Sequence, residues 1–138
     1  CEKEEAVLGR LTEFCGERPL VAHNAPFDTK FLAAAFERHR IAAPGGVVYD
    51  TVALARGMFP SLNNCRLATL AAFFELRPDH YHRAIEDAAT CGLLLLHIVD
   101  TLRRNGEPCD WAALQSRLGK KELRFPKIAP PSPQLDLF

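Results

Sequence analysis

The sequence predicts an α/β domain, of which this chain carries the later part. Two short apolar stretches, residues 19–22 and 47–49, have strand length, and each leads straight into a helical pattern. From Thr51 onward the pattern is helical, so the second half is expected to be all helix. Two short strands do not make a stable sheet by themselves. The first strands of the sheet are therefore expected upstream, an N-terminal truncation that a chain starting with Cys1 and not Met also favours.

Residues 2–17 read as an amphipathic helix, with Ala6, Val7, Leu11, Phe14 and Cys15 at helical spacing among Glu and Arg. Gly16 and Pro19 end it. The strand at 19–22 runs into His23, where Asn24 can cap the next helix and Pro26 suits its first turn. That helix is expected to reach about Arg40, with Phe27, Phe31, Leu32, Ala35 and Phe36 on one face. Gly45-Gly46 is a turn, and the second strand ends at Asp50. Helices follow to about Met58, over 67–74 and over 83–104; Asn105-Gly106 stops the last of these. Asp110 caps a final helix through Leu118. Residues 1–118 are read as the domain. Residues 119–133 are read as a linker, first basic and then proline-rich, with Pro126, Pro130, Pro131 and Pro133. Residues 134–138 are read as a separate tail.

A length of 138 residues allows one domain with a core. The formal net charge is zero, which argues against a protein that holds nucleic acid by a bulk basic surface. Binding of phosphates through metal ions stays open. The cysteines, Cys1, Cys15, Cys65, Cys91 and Cys109, are odd in number and form no C-x-x-C pair. A disulfide scaffold or a structural zinc site is not expected, and a reducing, cytoplasmic setting is. The longest apolar run, 92–99, is too short to span a bilayer, so no membrane partner is expected.

Two segments carry groups with chemistry. In His23-Asn24-Ala25-Pro26-Phe27-Asp28 a strand ends and Asp28 falls in the first turn of a helix. A carboxylate there lies at the carboxyl end of a strand, where α/β sheets place their sites; equally, an acid in a first turn favours the helix dipole. In Tyr81-His82-Arg83-Ala84-Ile85-Glu86-Asp87, His82 precedes a long helix and Asp87 lies in its first turns. A carboxylate and a histidine that titrates near neutral pH are what metal-assisted hydrolysis needs; capping is the alternative. Phe27 reads either as a core aromatic beside Phe31 or as a stacking surface for bases. Asp50 reads as structural.

Together the two segments resemble the second and third motifs of the DnaQ-like 3′→5′ exonucleases, the family that includes the epsilon proofreading subunit of bacterial DNA polymerase III. H-N-x-x-F-D is matched by His23, Asn24, Phe27 and Asp28, and H-x-A-x-x-D by His82, Ala84 and Asp87. Between them Asp50-Thr51 ends a strand and opens a helix, as in the family. The resemblance implies a ribonuclease-H-like exonuclease fold and two divalent cations, Mg²⁺ or Mn²⁺. It implies Asp28 and Asp87 as metal ligands, His82 as the catalytic base, and His23, Asn24 and Phe27 as substrate-binding residues. The partner it implies is the 3′ end of single-stranded DNA, with a DNA polymerase subunit as a further one. A 3′→5′ exoribonuclease of the same fold and an inactive interaction module are the alternatives. The family's first motif, a D-x-E on an early strand, has no counterpart here: Glu2, Glu4 and Glu5 lie in the helical stretch. The chain alone is therefore expected to be inactive.

The tail Gln134-Leu135-Asp136-Leu137-Phe138 resembles the pentapeptide by which bacterial replication proteins bind the sliding clamp. Gln134, Leu135, Leu137 and Phe138 are its expected clamp-binding residues. Apolar residues at the end of a tether can enter a partner's pocket at low ordering cost; packing on their own domain is the alternative.

Overall fold

The computed structural model describes residues 2–76 and 84–128. Its elements run α1 (Glu4–Cys15), β1 (Leu20–Ala22), α2 (Ala25–His39), β2 (Val48–Asp50), α3 (Thr51–Met58), α4 (Leu67–Phe73), α5 (Ala84–Arg104) and α6 (Trp111–Leu118). The strands pair in parallel, with Leu20 opposite Val48 and Ala22 opposite Asp50. Parallel pairing needs a crossover, and α2 supplies it. Both strands thus end side by side, and both run at once into helix starts.

The turn before β2 brings two backbones together. A Cβ on Gly46 would stand 1.8 Å from the carbonyl oxygen of Arg18, so no other residue fits there without moving the chain that enters β1. Leu20 N–H donates to the Val47 carbonyl at 2.9 Å on the strand side of that approach.

The main core gathers Tyr49, Leu54, Leu70, Leu94, Ile98, Leu102 and Leu114, all at most 5% exposed. On α5 the buried positions Cys91, Leu94, Ile98 and Leu102 follow three- and four-residue steps, the stripe of a helix with one face inward. Burying such a side chain contributes about 1.5–3 kcal/mol. Trp111 lays its ring against Tyr49 at 4.7 Å and brings α6 onto the sheet. Asp110 caps α6 as expected, its carboxylate accepting from Ala113 N–H at 2.8 Å.

A second cluster joins α1 to α2 through Leu8, Ala35 and Phe36. It corrects two expectations. On α1 the fully buried residue is Leu8, whereas Val7 and Phe14 face outward. On α2, Phe27 and Phe31 are each 69% exposed, while Ala25, Thr29, Ala35 and Phe36 are buried. At 100° per residue Phe27 and Phe36 stand about 180° apart, so one helix cannot bury both against the same neighbour.

The stretch after α6, expected to begin a linker, lies against the domain as far as Ile128. Val48 N–H donates to the Leu123 carbonyl at 2.8 Å, an isolated antiparallel bridge on the outer side of β2. Arg124 donates to the Gly45 carbonyl at 2.7 Å. Phe125 meets Phe36 edge-on at 5.7 Å, and Ile128 packs on the same cluster. The proline-rich remainder and the tail residues Gln134, Leu135, Leu137 and Phe138 lie outside the described residues, as does His82. Among the described residues no helix is long and apolar enough to cross a membrane.

Candidate functional site

The site is built where the two strands end. Asp50 closes β2, and one of its carboxylate oxygens collects three backbone donors: Val52 N–H at 3.0 Å, Asn24 N–H at 2.9 Å and Ala25 N–H at 3.3 Å. It thereby caps its own helix, α3, and also satisfies the first turn of α2 across the sheet. Asn24 was the expected cap of α2. It occupies that position in a left-handed conformation, φ 68° and ψ 50°, and its side chain accepts no capping bond. The neighbouring aspartate does that work, which leaves the Asn24 amide group for other contacts. The left-handed conformation costs an L-residue roughly 1–2 kcal/mol, and Asn is among the residues that adopt it most readily.

His23 sits behind this turn with both ring nitrogens engaged. Nε2 lies 2.7 Å from the Cys65 carbonyl and Nδ1 lies 2.9 Å from Thr51 Oγ1. A carbonyl only accepts, so Nε2 carries the hydrogen and Nδ1 accepts from the threonine hydroxyl. Burial pushes the His23 pKa down, against the opposing pull of the Cys65 carbonyl and the Asp50 charge. The ring is therefore held neutral, as a pivot between β1, α3 and the loop before α4. Both ring nitrogens are thereby occupied by partners within the domain.

The pivot gives a pH dependence. With the folded-state pKa below the unfolded value of about 6.5, neutral His23 favours the folded state above that pH. Stability is lost as pH falls from there through the folded-state pKa. Thermal melts should decline between neutral pH and pH 5, and His23→Asn should flatten that decline. An identical pH slope in the variant would remove His23 from the explanation.

Thr51 Oγ1 also lies 3.5 Å from the Cys91 sulfur on α5 and 3.3 Å from the Ala22 carbonyl. Burial raises the Cys91 pKa, with the charges of Asp50 and Asp28 adding to it. Asp87 stands one turn before Cys91 on the same helix. Asp28 and Asp87 are both exposed carboxylates in helix first turns, brought toward one end of the sheet from two different helices. Among the described residues no three ligating side chains form a group. Phe27, next to Asp28, presents its ring to solvent and not to the core.

Sequence reasoning missed the pivot role of His23 and the double role of Asp50. It also missed a cavity of about 720 Å³ beside Asn24, lined by His23, by Arg56 of α3, by Phe59 just beyond that helix, and by the loop through Arg66.

A family model described as "Exonuclease" matches residues 2–95. A PolC-type DNA polymerase III of Latilactobacillus sakei is 34% identical over 131 residues, covering 95% of this chain and 9% of the relative. The PolC-type DNA polymerase III of Halalkalibacterium halodurans is 41% identical over 95 residues, covering 69% of this chain and 7% of the relative. The chain thus spans less than a tenth of the length of these curated relatives. Among solved structures, exonuclease X in complex with 5′ overhanging duplex DNA superposes with a TM-score of 0.54 at 24% identity. That match covers 78% of this chain and 58% of the other. The likeness identifies the fold as the ribonuclease-H-like exonuclease fold, and the match of the family model over residues 2–95 makes the chain a member of the DnaQ-like exonuclease family.

Proposed function

We propose that this chain is the later part of a 3′→5′ DNA exonuclease of the proofreading type, which removes the terminal nucleotide of a single strand by metal-dependent hydrolysis. The observation that carries the reading is that both acid-bearing helices meet the ends of the strands: the start of α2 donates to Asp50 through Asn24 and Ala25 N–H, and Cys91 of α5 lies against Thr51. Hard divalent cations, Mg²⁺ or Mn²⁺, take carboxylate oxygens, and Asp28 and Asp87 offer such oxygens at an exposed sheet end. A bound pair would supply charge stabilisation for the attacking and leaving oxygens. The described residues give part of the needed set, since such a pair needs about four carboxylates.

His82 takes the proton of the attacking water. Water oxygen bonds to phosphorus, the bond to the 3′ oxygen breaks, and a nucleoside 5′-monophosphate leaves. Phe27, exposed beside Asp28, offers a face on which any base can stack. The Asn24 amide is available to the terminal nucleotide, and His23 holds that turn in place from behind. The PolC-type relatives are DNA polymerases by name, which favours DNA and a polymerase subunit as partner.

The test is digestion of 5′-labelled single strands with Mg²⁺ or Mn²⁺. The chain joined to a strand bearing D-x-E should shorten DNA stepwise from the 3′ end, and residues 1–138 alone should not. No digestion by the completed protein would overturn the reading. Robust activity from residues 1–138 would overturn the ligand count, and faster digestion of matched RNA would make the enzyme an exoribonuclease.

The tail is proposed to tether the enzyme to a bacterial sliding clamp. Anchor peptides concentrate their energy in a few apolar side chains, each costing about 2 kcal/mol or more when truncated. A peptide of residues 130–138 should bind a clamp unaided, with Gln134 and Leu135 contributing less than Leu137 and Phe138. Leu137→Ala with Phe138→Ala should abolish binding and leave digestion of naked DNA unchanged. If the pair instead lowers the melting temperature and no clamp binding is seen, the tail packs on its own domain.

A further inference from the structure

We propose that the cavity beside Asn24 is a phosphodiester-binding groove, in which Arg56 and Arg66 hold the backbone of the strand whose end is presented at Asp28. The inference rests on the exonuclease reading for the identity of the strand, and on charge and geometry for the groove itself. The chain has no net charge, yet among the described residues no acidic one lines this cavity. Arg10, Arg38, Arg104, Arg117 and Arg124 each pair with a carboxylate. Arg56 and Arg66 form no such pair among the described residues, and both are exposed.

Their positions are fixed. Arg56 rises from α3 between the wall residues Val52 and Phe59, one turn from each. The loop that carries Arg66 is tied to the end of β1 by the 2.7 Å bond from His23 to the Cys65 carbonyl. Asn64 adds a 3.0 Å bond from Arg66 N–H. Asn24, which lines the same cavity, stands one helical turn before Asp28. A strand leaving the region of Asp28 thus meets two guanidinium groups whose fork matches phosphate oxygens. A positively charged groove that tracks the backbone is how single strands are held without regard to sequence.

The test reads binding alone, without metal and without turnover. The full chain in EDTA is titrated against a labelled single-stranded DNA of twelve nucleotides at several salt concentrations, by fluorescence anisotropy. For single strands the slope of log K against log salt is about −0.7 per phosphate neutralised. Arg56→Gln with Arg66→Gln should weaken binding about tenfold or more and flatten the slope by about 1.4. Arg103→Gln, an exposed arginine on the last turn of α5, should change neither. A strand of uncharged methylphosphonates should bind the unaltered chain no better than the double variant binds DNA. Equal affinity and slope for the double variant and the unaltered chain would overturn the proposal, as would equal binding of the methylphosphonate strand. Failure of the nuclease reading shows instead in the 3′-end digestion assay, which this measurement does not use.

Discussion

Asp28→Ala and Asp87→Ala should each reduce turnover of the completed exonuclease by about 10³-fold or more. A metal centre contributes several kcal/mol of transition-state stabilisation, and each 1.36 kcal/mol is a factor of ten in rate. Both carboxylates are exposed and belong to no ion pair among the described residues, so their removal costs the fold little. The melting temperature should stay near that of the unaltered protein while digestion of single-stranded DNA falls to background. His82→Ala separates the roles. Loss of a general base costs roughly 10²–10⁴-fold and should leave the Mg²⁺ concentration for half-maximal rate unchanged, whereas the aspartate variants should shift it. A rate within a few-fold of the unaltered enzyme for His82→Ala would make that residue a bystander. Unchanged turnover in either aspartate variant would remove that residue from the site.

Asp50→Ala should have the opposite signature, a large loss of stability. One carboxylate oxygen serves the backbone donors of Asn24, Ala25 and Val52, which open two helices. Leaving three such N–H groups without their acceptor costs about 3 kcal/mol, taking about 1 kcal/mol for each. For a chain of this size that corresponds to a fall of roughly 10 °C in melting temperature. Asp50→Asn keeps an acceptor oxygen in the same place and should recover most of the loss. The pair of variants tells a structural carboxylate from a metal ligand. Recovery by asparagine of both stability and turnover supports the structural role, and recovery of stability with no turnover would place Asp50 in the chemistry.

The order of elements was readable because the chain punctuates it chemically. Gly16 and Pro19 stop α1, Asp110 caps α6, and Gly106, at φ 69°, ends the turn after α5. Which face a helix buries was harder to read. On α2 two apolar stripes compete, Phe27 with Phe31 and Leu32 with Phe36, each at four-residue spacing, and only the position of α1 decides that Phe36 goes inward beside Leu8. The capping of α2 was not readable at all. Asn24 has the side chain of a cap, but the cap comes from Asp50, 26 residues later in the chain and brought close by parallel pairing. The same holds for His23, whose partners Thr51 and Cys65 lie on separate elements. Local pattern locates the motifs; the non-local hydrogen bonds say which of their side chains are occupied.

The bridge from Val48 to Leu123 has a consequence for association. A sheet edge is a row of open donors and acceptors that invites another strand. On the β2 side that row is blunted by the returning segment, with Arg124 and Phe125 beside it. Among the described residues β1 keeps its outer edge open. The two-stranded sheet is thus a connector with one socket. A strand added beside Leu20–Ala22 extends it inward as part of one domain. Two copies meeting there would close on each other about a two-fold axis and stop, because neither would have a second edge from which a fibre could grow.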